Sequence, residues 1–148
     1  MGLWETEMIR TFASIAAFAL VAVPALATAN ADEAWKTKAG TVAWINDIGG
    51  DAVLSVDAKG GKTLFYIDGL KSKMEGGRSK FSGYWISTKD AKICDTTMTT
   101  PDGIASRSWG RLELLFVKPG FPSDWVMKTG SCFGDTTEMM SGIAIVGK

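Results

Sequence analysis

Each of the chain's two cysteines stands beside the same tripeptide. Asp95-Thr96-Thr97 follows Cys94 directly, and Asp135-Thr136-Thr137 lies three residues after Cys132. Two cysteines permit one pairing, and a disulfide holds its Cα atoms about 5.5 Å apart. A Cys94–Cys132 bond would therefore make the two acidic segments neighbours. Asp95, Asp135 and Glu138 could then present the hard oxygen ligands that calcium takes. No EF-hand spacing accompanies them, and aspartate and threonine are ordinary loop residues. The expectation is a chain with no metal and no cofactor, these three carboxylates being its weak candidates.

A second group could bind rather than react. Trp109 and Trp125 stand at strand beginnings beside Arg107 and Arg111. Aromatics and arginines at loop–strand junctions offer broad contact area plus a donor, as binding faces require. Arg107, Trp109, Arg111 and Trp125 are the candidate ligand-binding residues. The competing reading caps the core with both indoles, their N–H groups bonded to loop carbonyls, since tryptophan is highly buried on average. Lys71, Lys73, Arg78 and Lys80 gather around Gly76-Gly77 in a loop suited to an anionic polymer or a solvated exterior. Its spacing is not that of a phosphate-cradling loop.

The absences narrow the chemistry. There is no histidine and no glutamine, which removes Ser-His-Asp and Cys-His catalysis and every His-containing zinc site. The hydrolase elbow Gly-x-Ser-x-Gly begins at Gly77-Arg78-Ser79 and fails at Phe81. Paired carboxylates remain as a route to hydrolysis, because they need only proximity in space. Glu113 is the best placed, yet alternation sets it opposite Leu112 and Leu114, toward solvent.

These residues must be delivered and positioned. From Thr11 to Val23 the chain is almost wholly apolar; Pro24 then breaks it, and small residues run to Ala31. That layout predicts a secretory signal, with Ala29-Asn30-Ala31 as the cleavage site that fits best and Ala25-Leu26-Ala27 as the second choice. Glu5 and Glu7 spoil a cationic start, whereas initiation at Met8 would supply one through Arg10. The apolar run falls short of the ~20 residues of a membrane-spanning helix, so no membrane span is expected after cleavage. Residues 1–31 are read as signal and 32–148 as one domain, periplasmic or secreted, where disulfides persist.

The domain carries 15 Lys+Arg and 14 Asp+Glu, which gives no reason to expect nucleic acid as a partner. From Gly40 onward, short apolar or alternating runs are broken by turn residues, an all-β pattern. Strands are expected at Thr41–Ile45, Ala52–Asp57, Lys62–Asp68, Phe81–Thr88, Arg111–Lys118, Trp125–Thr129 and Ile143–Val146, with a hairpin at Lys59-Gly60-Gly61. Asp32–Lys38 has at most a turn or two of helical period. The near-continuous run Leu112–Val117 predicts a strand covered on both faces. About eight strands make an antiparallel β-sandwich or β-barrel.

The functional expectation is an exported, non-enzymatic binding protein of the bacterial envelope, recognising a protein or glycan. The alternatives are a His-free carboxylate hydrolase and a structural subunit paired through Leu112–Val117. Oligomeric state is open at this level.

Overall fold

The computed structural model describes residues 33–58, 60–73, 79–118 and 121–145. The signal segment 1–31, including Met8 and the Ala31 cleavage site, lies outside the described residues. So do Gly76, Gly77 and Arg78 of the cationic loop, and Val146.

Eight strands close into one antiparallel barrel. They are β1 (Ala34–Thr37), β2 (Gly40–Ile48), β3 (Asp51–Ala58), β4 (Gly61–Ile67), β5 (Lys80–Ser87), β8 (Trp109–Phe116), β9 (Trp125–Thr129) and β10 (Glu138–Ala144). Between β5 and β8 the chain inserts two short strands, β6 (Met98–Thr99) and β7 (Ala105–Ser106), which pair with each other. A single helical turn, α1 (Leu70–Lys73), precedes β5. Apart from that insertion, each barrel strand pairs with its sequence neighbours, and β1 closes the circle against β10. The architecture is thus an up-and-down barrel rather than a sandwich. Closure bonds β8 to β5 on one side and β9 on the other, so it offers no edge for pairing between chains.

Strand alternation sorts the side chains. Leu54, Val56, Phe65, Ile67, Phe81, Leu112, Leu114, Phe116 and Met127 fill the interior together with Trp35 and Trp125. Fully burying each such side chain contributes on the order of 1.5–3 kcal/mol before entropy is counted. A second apolar cluster lies outside the wall, where Val53, Leu64, Tyr66, Ile86, Cys94 and Trp109 pack with Met98 and Ile104 of the inserted segment. The wall is therefore apolar on both faces at β3-β4-β5 and at the start of β8.

Three sequence expectations are corrected here. Leu112–Val117 is not covered on both faces: Leu112, Leu114 and Phe116 point inward, whereas Leu115 and Val117 are 46% and 57% exposed. The segment after Asp32 forms β1, its Trp35 drawn into the barrel, and not a helix. The last strand begins at Glu138, five residues before Ile143, because pairing with β9 carries it through Met139-Met140-Ser141-Gly142, a run without β-branched residues.

Candidate functional site

The two ends of the barrel are built differently. At one end, where β1 begins and β8 runs into β9, five aromatic rings stopper the interior. Trp35 packs against Phe116, Phe121 and Trp125 at centroid distances of 6.5, 6.0 and 6.3 Å, and Trp44 meets Phe121 at 5.8 Å. The stopper is pinned by polar contacts. Trp35 Nε1 donates to the Ser123 carbonyl at 2.9 Å, and Trp44 Nε1 donates to Asp47 Oδ1 at 2.7 Å. Lys71 Nζ lies 2.8 Å from the other oxygen of Asp47. Opposite Trp125 the chain needs Gly142, since a Cβ there would stand 2.4 Å from the indole Cε2. The Trp125 indole N–H is buried and has no hydrogen-bond partner among the described residues.

At the other end the interior opens as a pocket of about 280 Å³. Its walls are Val56, Phe65, Trp85 and Met140, with Met139, Thr63, Thr129 and Glu138 around the mouth. Ala39 of the β1–β2 turn and Ala58 at the end of β3 complete the lining. Phe65 and Trp85 face each other across the β4–β5 pair. The Trp85 N–H donates to the Gly130 carbonyl at 2.8 Å, which leaves the ring as an apolar wall. Among the described residues, the side chains of Thr63, Thr129 and Glu138 have no hydrogen-bond or ion-pair partner in the protein.

The Cys94–Cys132 disulfide is formed, with Cα atoms 5.6 Å apart. It ties the inserted segment to the β9–β10 loop, whose two ends, Thr129 and Glu138, both reach the mouth. Cys132 N–H bonds the Trp109 carbonyl at 2.8 Å, and Phe133 packs edge-on to the Trp109 ring at 4.8 Å.

The sequence candidates occupy other places. Trp109 lies on the outer face of the wall, 2% exposed, with its N–H donating to the Thr96 carbonyl at 2.8 Å. Trp125 lies inside the barrel, 1% exposed. The two indoles are thus on opposite sides of the wall and do not share a face. Arg107 donates to the Cys94 and Asp95 carbonyls, and Arg111 to the Phe133 carbonyl. Both guanidinium groups brace loops. Among the described residues no three of the acidic or cysteine side chains gather as a metal would require, so Asp95, Asp135 and Glu138 do not form a calcium set. Glu113 projects from the outer wall toward Lys80, at 3.8 Å. Glu138 is the lone carboxylate among the residues lining the mouth, whereas a glycosidase pair needs two flanking the substrate.

Outside the barrel, Tyr66 and Tyr84 stack at 4.8 Å with an interplanar angle of 8°. Tyr66 Oη donates to Asp102 Oδ1 at 2.7 Å, and Thr100 Oγ1 donates to the same oxygen at 2.6 Å. Burial, with the nearby Asp102 charge adding to it, pushes both phenols up to about 12. At Asp102 burial acts upward, but the hydrogen bonds from Thr100 and Tyr66 outweigh it and hold the carboxyl below its ordinary value. This cluster fastens the β6–β7 hairpin to the wall.

Apart from Glu138, no residue of the mouth is a site candidate from the sequence, where Trp85 reads as a mid-strand core residue. Phe65 and Trp85 stood in expected neighbouring strands, so their cross-strand pairing was available. That they border an opening was not, because it depends on how the far end is filled.

The class is therefore defined by geometry: an eight-stranded up-and-down barrel, stoppered by aromatics at one end and open to a small apolar pocket at the other. Comparison with protein-family models, with curated proteins and with solved structures returns no match.

Proposed function

We propose that the protein is an exported, non-enzymatic binding protein that takes a small, largely apolar ligand into the open mouth of its barrel. The observation that carries this reading is the contrast between the ends. Eight strands enclose an interior that side chains can fill completely or that can hold one small ligand. Here the side chains fill one end with five aromatic rings and leave the other to Val56, Phe65, Trp85 and Met140. Ligand sites favour apolar walls with a few unpaired polar groups, and barrel mouths are among their usual places. Thr63, Thr129 and Glu138 supply those groups.

The reading keeps the binding role expected from the sequence and moves the ligand. Arg107, Trp109 and Arg111 spend donors on the protein itself and Trp125 is buried inside the barrel, which favours the mouth over a protein- or glycan-binding face built from them. Export rests on the signal segment, which makes the disulfide-clamped rim a durable feature in an oxidising compartment.

The size of the pocket sets the probe. At roughly 30 Å³ for each water-sized group, it takes about nine heavy atoms, the size of 1-octanol. Ala58→Phe would place a ring in the mouth at an exposed position. By calorimetry it should weaken 1-octanol binding at least about tenfold, a loss of ~1.4 kcal/mol, while the melting temperature stays nearly unchanged. Equal affinity in the variant and the parent would remove the mouth as the site.

A further inference from the structure

We infer that the mouth selects a cationic amphiphile: a small molecule with an apolar body and an ammonium-type head. This rests on the binding role proposed above and adds the charge of its ligand. Of the residues that line the pocket, Glu138 alone is charged, and it stands at the opening rather than in the depth. It begins β10, paired with Thr129 at the end of β9, so its backbone is fixed by the barrel ladder and not by a loop. Among the described residues no cation lies within ion-pair distance of it. Thr129 beside it and Thr63 on β4 across the barrel offer hydroxyl groups that, among the described residues, have no partner. The rim thus presents one carboxylate and two hydroxyls; the hydroxyls can serve either sign of head group, whereas the Glu138 carboxylate accepts from an ammonium and repels a carboxylate.

The body of the ligand meets a different chemistry. The Trp85 N–H is committed to Gly130, so the indole presents ring surface. A cation at the mouth finds in that ring a second favourable partner. Met139 and Met140, unbranched and polarisable, adjust to bodies of different shape.

Lysines at the same end of the barrel set the competing field. Lys38 sits in the β1–β2 turn, Lys62 near the start of β4, Lys89 just beyond β5 and Lys128 near the end of β9. Because none of them lines the pocket, Glu138 is the charge in direct contact with a bound head group, and salt at about 0.15 M weakens the field of these solvent-exposed lysines.

Three probes of matched length decide the matter: octylammonium, 1-octanol and octanoate, titrated at about 0.15 M salt into the full mature protein and into Glu138→Gln. Octylammonium should bind about tenfold tighter than octanoate, and the substitution should abolish that preference, with 1-octanol as the uncharged reference in each protein. If octanoate binds as tightly as octylammonium, or if Glu138→Gln leaves the ranking intact, the charge selection is wrong and the apolar mouth survives. If none of the three binds, the mouth itself is not a ligand site.

Discussion

The indole N–H of Trp85 donates to the backbone carbonyl of Gly130 at 2.8 Å. One wall of the mouth is thereby fastened to the β9–β10 loop, the same loop that the Cys94–Cys132 bond ties to the inserted segment. Gly110, on β8, makes room for this contact. A Cβ at that position would stand 1.7 Å from the Gly130 oxygen and 2.6 Å from Trp85 Nε1.

Gly110→Ala must therefore break the Trp85–Gly130 bond or displace β9 from β8, since backbone cannot yield as a side-chain tip can. The expected cost is about 2 kcal/mol or more, in the range of overpacked cores and broken buried hydrogen bonds. Urea denaturation should show a lowered midpoint with an unchanged slope. A midpoint equal to that of the parent would mean that the close approach has slack.

Removing the disulfide by replacing Cys94 and Cys132 with serine should cost stability through the unfolded chain. For a sequence separation of 38 residues the chain-entropy model gives about 4 kcal/mol. The barrel ladders do not pass through either cysteine, so the far-ultraviolet circular dichroism of the folded variant should match the parent. Loss of the β signature at low temperature would show that the clamp is needed for closure itself.

The chain has two tyrosines, and both belong to the Tyr66–Tyr84 stack, so a tyrosinate titration reports on that stack alone. Folded, the two phenols titrate near 12, against an ordinary value near 10. Because the folded values are raised, the stabilisation is complete below pH 10 and is lost as pH climbs from 10 through 12. Near-ultraviolet absorbance should show little tyrosinate at pH 10.5 in the native protein and about three-quarters in denaturant. Half-ionisation at pH 10 in the folded protein would contradict the buried, Asp102-linked placement.

Much of the fold was legible in local pattern. The hairpin pairing of Ala52–Asp57 with Lys62–Asp68 and the strand at Trp125–Thr129 follow from alternation and turn residues, and the structure bears them out, Lys59 lying outside the described residues. The even-numbered residues Leu112, Leu114 and Phe116 announce the inward face of β8, which by parity puts Trp109 outside. What alternation cannot supply is register between strands. Trp125 goes inside because it pairs with Phe116, a fact of the β8–β9 connection rather than of either strand. Closure, the aromatic stopper and the open mouth are likewise properties of eight strands together. Glu138 was visible as a carboxylate near Cys132, but its position at a rim depends on β10 starting well before the apolar residues that suggested a strand.

The central claim, that the open end of the barrel is a ligand site, is tested most directly by methyl NMR of methionine-labelled protein titrated with 1-octanol. Met139 and Met140 line the mouth, while Met98 belongs to the inserted segment and packs on the outside of the wall. The account predicts saturable shifts of the Met139 and Met140 methyls, with Met98 unmoved. Saturation at Met98 with Met139 and Met140 silent, or no saturable shift at any methionine, would contradict it.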